Sequence, residues 1–238
     1  MLLALETSAE RGGVALFEGA ELVGEADVPE RERHAASLLV CLDSLLSRLG
    51  RKLDDVEKIA LAIGPGSFTG LRIGLSTALG LCFGTKRKIV PVPTLQALAF
   101  QAQSQAPCAP LLDARRGEVY AGLYDPGLEP LLPDACTSVG EWVASLPAGG
   151  PLALCGSGAR LYRSELASLL GSRAQFLADS AGELRARAVG ALAHGLSRAG
   201  ADLEPERVEL RYLRRAEAEA KRLALQGNGE PIPLVRPR

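Results

Sequence analysis

Apolar and polar positions follow two periods along this chain, and the switches between them mark its elements. Leu2–Thr7 reads as a strand that ends on an acid, Glu6. Glu10-Arg11-Gly12-Gly13 turns it, Val14–Phe17 returns, Gly19 turns again and Leu22–Val28 forms a third strand. Arg31–Gly50 then takes a helical period. Leu38, Leu42, Leu45 and Leu49 make one stripe, Leu39, Cys41 and Leu46 lie beside it, and Gly50 suits the C-terminus. The apolar strand Ile59–Ile63 breaks at Gly64-Pro65-Gly66, which no regular element tolerates. Ser67 or Thr69 can cap a helix running to about Gly84. A strand at Ile89–Val92 and a helix at Thr94–Ser104 follow.

The order then starts again. Pro110–Asp113 is a strand ending on an acid, Arg115-Arg116-Gly117 turns it, Glu118–Tyr124 returns and Pro130–Thr137 is the third strand. Ser138–Leu146 is a short helix, and Leu152–Leu154 leads through Gly156-Ser157-Gly158 into the helix Arg160–Leu170. The strand Gln175–Ala178 and the helix Glu183–Arg198 complete the set. Ala4–Gly19 aligns with Leu111–Gly127, and Ala62–Ser67 with Ala153–Gly158. A repeat of this kind predicts two similar α/β lobes, at 1–105 and 106–200, with a C-terminal extension at 201–238. In that extension Arg207–Arg215 reads as extended, Ala216–Leu225 as a short helix, and Gly227–Arg238 as an irregular, proline-bearing tail.

The helix after Gly66 is unusual. Arg72 is its only charge, while Phe68, Leu71, Leu75, Leu79 and Phe83 spread around its circumference. A helix apolar all round is buried on every side or meets a partner. Gly70, Gly74, Gly80 and Gly84 recur at spacings that permit close helix approach, although glycine costs about 1 kcal/mol against alanine inside a helix. Arg31–Gly50 carries a second strip, Leu39 and Leu46. These patterns predict a partner surface made of Leu39, Leu46, Phe68, Leu71, Arg72, Leu75, Leu79 and Phe83. The plainer reading of Arg72 is a solvated helix charge, and that of the strips is lobe–lobe packing.

Composition narrows the chemistry. At 238 residues the chain can bury one large or two small cores. Its net charge of -1 creates no global field for nucleic acid, and an aromatic content of 4% argues against base-stacking platforms. No apolar run reaches the ~20 residues of a membrane span, and Met1-Leu2-Leu3 leads straight into a strand with no basic leader region. The five cysteines are far apart and read as reduced thiols of a cytoplasmic protein. Neither His34 nor His194 has a ligand-type neighbour, and no metal-ligand spacing occurs, so no metal and no cofactor are expected.

An acid at the end of the first strand of each lobe (Glu6 and Asp113), with a glycine turn into a helix in each, is the constellation of a two-lobed phosphotransferase, in which acids hold Mg²⁺ and turns hold phosphates. Glu6, Thr7, Ser8, Gly64, Gly66, Ser67, Thr69 and Asp113 are therefore the candidate anion- or nucleotide-proximal residues. Singly each feature is weak, since most glycine turns are only turns. GPGSFTG is not a P-loop, because it lacks the Lys-Ser/Thr that contacts phosphate and Mg²⁺.

ETSAERGGVALFEG, RHAASLLVCLDSLL and above all GPGSFTGLRIG followed by a strand and PTLQALA resemble the TsaB (YeaZ) family, as does the later RYLRRAE. The resemblance implies an actin-like/Hsp70-like ATPase (ribonuclease H-like) fold of two duplicated α/β lobes. It further implies a non-catalytic sibling of TsaD, the subunit that transfers threonylcarbamoyl to N6 of adenosine 37 in tRNAs reading ANN codons. The expected partners are a TsaD-like catalytic subunit and a TsaE-like ATPase, with a homodimer when alone and tRNA met only through the complex. Thr94 and Leu98 fall where the sibling carries metal-ligating histidines. The contrasting expectations are a sugar-kinase-like phosphotransferase, a metallopeptidase-like hydrolase, or a self-associating α/β protein of another role.

Overall fold

A computed structural model describes residues 1–28 and 35–214. The proposed helix at 216–225, the tail from 227, and the positions 31–34 expected to open the first long helix lie outside the described residues. The first half runs β1 (Leu2–Glu6), β2 (Gly13–Glu18), β3 (Glu21–Asp27), α1 (Ala35–Leu49), β4 (Lys58–Gly64), α2 (Phe68–Cys82), β5 (Lys88–Pro93) and α3 (Thr94–Ala102). The second runs β6 (Cys108–Arg115), β7 (Glu118–Tyr124), β8 (Pro130–Ser138), α4 (Val139–Ser145), β9 (Leu152–Cys155), α5 (Ser157–Leu161), α6 (Arg163–Leu170), β10 (Ala174–Phe176), α7 (Asp179–Gly182) and α8 (Ala186–Arg198). The single helix expected at 160–170 is thus two, with Tyr162 between them.

The strand orders are β3-β2-β1-β4-β5 and, in the second sheet, β8-β7-β6-β9-β10. They are the same order built twice, with an antiparallel pair of hairpin contacts followed by parallel crossovers. The duplicated α/β architecture of the actin-like ATPase type follows directly from this topology.

Pleat alternation sorts each strand's side chains into two cores. Leu3, Leu5, Val14, Leu16, Ile59 and Leu61 face α1 and α2. Ala4, Ala15, Phe17, Ala60, Ala62 and Val90 face the opposite way, into a central core that also holds Cys108, Leu112 and Cys155 of the second sheet. Between the sheets lie α3 and α8, which exchange lobes. Helix α3 packs on β6, β7 and β9, while α8 packs on β1, β2 and β5. The approach of α8 is close enough that a Cβ on Gly190 would lie 2.2 Å from the Phe17 ring. A third core, with Leu111, Val119, Leu154, Trp142 and Leu166, closes the far side.

Helix α2 is not apolar all round in its environment. Leu71, Gly74, Thr77, Ala78 and Cys82 make one buried face on the first sheet. Two of its glycines serve the chain's own packing rather than a partner's. A Cβ on Gly70 would come 1.9 Å from the Thr7 carbonyl oxygen, and one on Gly74 would come 2.4 Å from Thr7 Oγ1. Gly80 and Gly84 would meet nothing within 4 Å. Beyond the helix, Arg87 is buried and donates to the carbonyls of Val56, Leu81 and Leu53, each at 2.8 Å, closing the C-terminal end of α2.

Gly70→Ala therefore should destabilise the fold by at least ~2 kcal/mol, because backbone and not a flexible side chain occupies the space. Gly80→Ala should stabilise it by up to ~1 kcal/mol through helix propensity alone. Urea denaturation of the two variants beside the parent protein measures both signs.

Candidate functional site

The carboxyl ends of β1 and β6 open into a cleft of about 490 Å³ between the lobes. Thr7, Ser8, Gly66, Ser67, Thr69 and Asp113 line it, so six of the sequence-predicted anion-proximal residues meet there. The turn before α2 folds as its sequence dictates. Ser67 caps the helix by accepting from the Gly70 amide at 3.2 Å, and its own amide donates to Ser8 O at 2.8 Å. Only glycine fits at position 66, where a Cβ would lie 2.3 Å from Ser8 O.

Glu6 and Gly64 are not part of the cleft wall. In β1 the pleat places Glu6 on the side of Leu2 and Ala4, toward the central core, and it is fully buried. Its Oε1 accepts from the Ser8 amide (2.7 Å), the Ser8 hydroxyl (2.8 Å) and the Ala9 amide (2.8 Å). The Ser8 hydroxyl in turn accepts from Thr94 Oγ1 at 3.1 Å, and Thr94 accepts from the Gly64 amide. Burial pushes the Glu6 carboxyl from the usual 4.5 up to about 7, against the lowering effect of those three hydrogen bonds. The acid expected to face a metal or phosphate is therefore a structural brace.

Asp113 does line the cleft, but it has the parity of Ala109 and Leu111, which face the outer core. Aligned residue for residue, the two strand-end acids match; on the pleat they fall on opposite faces. Asp113 is held by its own turn, accepting from the Arg115 amide at 2.8 Å and pairing with the Arg115 guanidinium at 3.3 Å. Its amide donates to Ser157 Oγ at 3.1 Å. Thr94 and Leu98 are both fully buried. Among the described residues no group of three His, Cys, Asp or Glu side chains is placed to hold a metal ion.

The expected partner surface divides. Leu71 and Leu46 are core residues and are unavailable to a partner, because each falls on the sheet-facing side of its helix. Leu75 is half-buried against the same core, and Phe68 is half-buried beneath Tyr212, ring centroids 5.1 Å apart. Arg72 is exposed and lies over Phe68, 3.9 Å from its ring centre. Leu39 (45% exposed), Leu79 (37%) and Phe83 (89%) face outward, joined by Val40 (64%), which sequence reasoning left out. Helices α1 and α2 both run away from the cleft, so Leu39 and Val40 sit near it and Leu79 and Phe83 at the far end.

The family described as "TsaD: tRNA N6-adenosine threonylcarbamoyltransferase" matches residues 28–226. The chain is 31% identical over 228 residues to the tRNA threonylcarbamoyladenosine biosynthesis protein TsaB of Bacillus subtilis, covering 92% of this chain and 96% of that one. It belongs to the TsaB (YeaZ) family. A solved structure, YeaZ from Pseudomonas aeruginosa, superposes on this TsaB-family chain with a TM-score of 0.73 at 30% identity, covering 89% of this chain and 99% of that one. The Haemophilus influenzae TsaB is 37% identical over 122 residues, 50% of this chain and 51% of that protein.

What the sequence missed in the TsaB-family cleft is its far wall. Tyr120, Arg211, Tyr212, Leu213 and Arg214 line it, and Glu10 pairs across the mouth with Arg160 at 2.8 Å. The sequence signal for the wall was RYLRRAE, which entered only as part of the family resemblance.

The raised Glu6 carboxyl sets a pH signature. The folded chain binds a proton there that the unfolded chain has lost between about pH 4.5 and 7, so this group's contribution to stability declines as pH rises through that window. The decline should be on the order of 3 kcal/mol in full. Glu6→Gln keeps the accepting oxygen and removes the charge, so its stability should stay flat where the parent's falls. Denaturation midpoints from pH 4.5 to 8 compare the two.

Proposed function

We propose that this protein is a non-catalytic subunit required to form threonylcarbamoyladenosine at position 37 of tRNAs reading ANN codons. It acts by docking onto a TsaD-like threonylcarbamoyltransferase, with a TsaE-like ATPase joining the complex in the cytoplasm, and it pairs with itself when alone. The observation that carries the reading is the match to the Bacillus subtilis protein along almost the whole length of both chains. The site supports it. The carboxylate that a phosphotransferase would direct at metal and phosphate, Glu6, is folded into the interior and braces its own turn. Thr94 and Leu98, at the positions of the sibling's metal-ligating histidines, are buried.

The outer face of α1 and α2 is the docking surface this reading assigns. Leu39, Val40, Leu79 and Phe83 are large apolar side chains held in water by helices whose other face is already covered. Such exposure marks an interaction site. A stable interface buries ~1,600 Å² in total, which two helices from each partner supply. Two chains of one fold, each presenting such a helix pair, can also meet about a pseudo-twofold axis.

The test is a strain lacking this gene, rescued with the parent protein or with Leu39→Glu combined with Phe83→Asp. Both positions are exposed, so the double variant should keep its circular dichroism. The parent should restore threonylcarbamoyladenosine, read by mass spectrometry of tRNA nucleosides, and co-elute with the TsaD-like protein of the same cell. The double variant should do neither. A folded double variant that still co-elutes sinks the assigned surface, and tRNA modification by the isolated chain sinks the non-catalytic role.

A further inference from the structure

The segment 208–214 crosses from one lobe to the other at the mouth of the cleft. Its residues alternate between the two sides. The Arg211 amide donates to Ile63 O at 2.8 Å, adding the segment to the end of β4. The fit is close, because a Cβ on Gly64, which has φ 112°, would lie 2.5 Å from Arg211 O. The Arg211 guanidinium reaches the other way, to Asp134 on β8 at 2.9 Å. The Asp134 side chain is nearly inaccessible, and its second oxygen accepts from the Tyr124 hydroxyl at 2.5 Å. Tyr212 turns back to the first lobe, stacking on Phe68 and accepting from Arg72 Nε at 3.3 Å. Arg214 turns again to the second, donating to Ala114 O at 2.7 Å and pairing with Glu118 at 2.9 Å.

We propose that residues 208–214 are a strap that fixes the opening of the cleft by lashing the two lobes together at its mouth. The lobes meet on one side through the central core around α3 and α8, which is apolar and continuous. That side is a hinge floor. On the opposite side, the strap joins the lobes along with ion pairs between partly exposed side chains, among the described residues Glu10–Arg160, Arg11–Glu183 and Asp27–Arg185. Solvated pairs of that kind hold little. The strap's anchor is of another kind. Asp134 is nearly inaccessible while Arg211 is partly exposed, so removing Arg211 leaves an interior carboxylate without its counter-ion, and the contact favours a single, latched arrangement. Release of the strap frees the second lobe to turn on the central core and widens the cleft. The device belongs to the isolated chain and does not depend on the proposed partner.

Hydrogen exchange of the full-length chain tests it, read by mass spectrometry. Arg211→Ala removes the guanidinium and leaves the backbone bond to Ile63 possible. The expected result is tenfold or faster exchange in peptides covering 7–12, 66–70 and 112–115, which line the cleft from both lobes, with the interiors of β1, β4 and β6 unchanged. Faster exchange in 208–214 alone, with the cleft peptides at parental rates, overturns the proposal. Should Arg211→Ala loosen both sheets throughout, Arg214→Ala decides, since that side chain holds Glu118 and Ala114 O and leaves the nearly inaccessible Asp134 paired: loosening confined to the strap and cleft supports the strap, and no change in the cleft overturns it. Rates are read with no partner present, so failure here leaves the proposed function standing and the reverse also holds.

Discussion

The exchange of α3 and α8 between the lobes is the constraint on which this fold depends. Parallel strands such as β1, β4 and β5 are found with both faces covered, and neither half of the chain covers both faces of its own sheet. The first half supplies α1 and α2 for one face of its sheet and leaves Ala4, Ala15, Phe17, Ala60 and Val90 to a helix from the second. The small residues of this face let α8 settle close, and Gly190 accepts the Phe17 ring where any larger residue would collide. The duplicated sequence is thus one cooperative body rather than two beads on a linker. Everything at the cleft inherits its geometry from the spacing of those two helices.

That spacing also decides what the strand-end acids become. Glu6 is drawn to the central side and meets the amides of its own turn together with the hydroxyl chain Thr94–Ser8. In the family reading this is a fold that keeps the framework of a phosphate-handling cleft while assigning its first acid to structure. A buried carboxyl that turns inward braces its own turn without facing the cleft. The cleft's lining charges are paired, Glu10 with Arg160, Asp113 with Arg115, Arg211 with Asp134 and Arg214 with Glu118.

Much of the architecture was legible because it rests on local chemistry and repetition. The strand–glycine–helix turns and the short helix after Ser138 lie where sequence puts them, and of the two caps the sequence allowed, Ser67 and Thr69, it is Ser67 that caps α2. The repeated strand order is visible as a repeat. The facing of side chains was less legible. Periodicity correctly gave Leu38, Leu42 and Leu45 to the core, but it could not show that Leu46 and Leu71 are on the covered side, since an apolar residue next to a stripe looks the same in either setting. The glycines of α2 were read as one set. Thr7, just past the end of a different strand, packs against Gly70 and Gly74, while Gly80 is open and Gly84 lies beyond the helix end. The parity of Glu6 and Asp113 was hidden because an aligned pair of acids says nothing of a one-residue difference on the pleat. The cleft's far wall was hidden because it comes from the opposite end of the chain.

The position of that wall in the chain has a consequence for how the protein is made. Synthesis runs from the N-terminus, and domains generally fold as they emerge. Here the first sheet leaves the ribosome with one face bare, and its cover at 186–198 appears only after the entire second sheet. Residues 208–214, which tie the lobes across the cleft, follow later still. The newborn chain therefore carries an open apolar surface for most of its synthesis, and its last described residues are the ones that span the cleft. A ribosome stalled in the second half would release not a smaller version of this protein but an unfinished one, with a sticky sheet and no means of covering it.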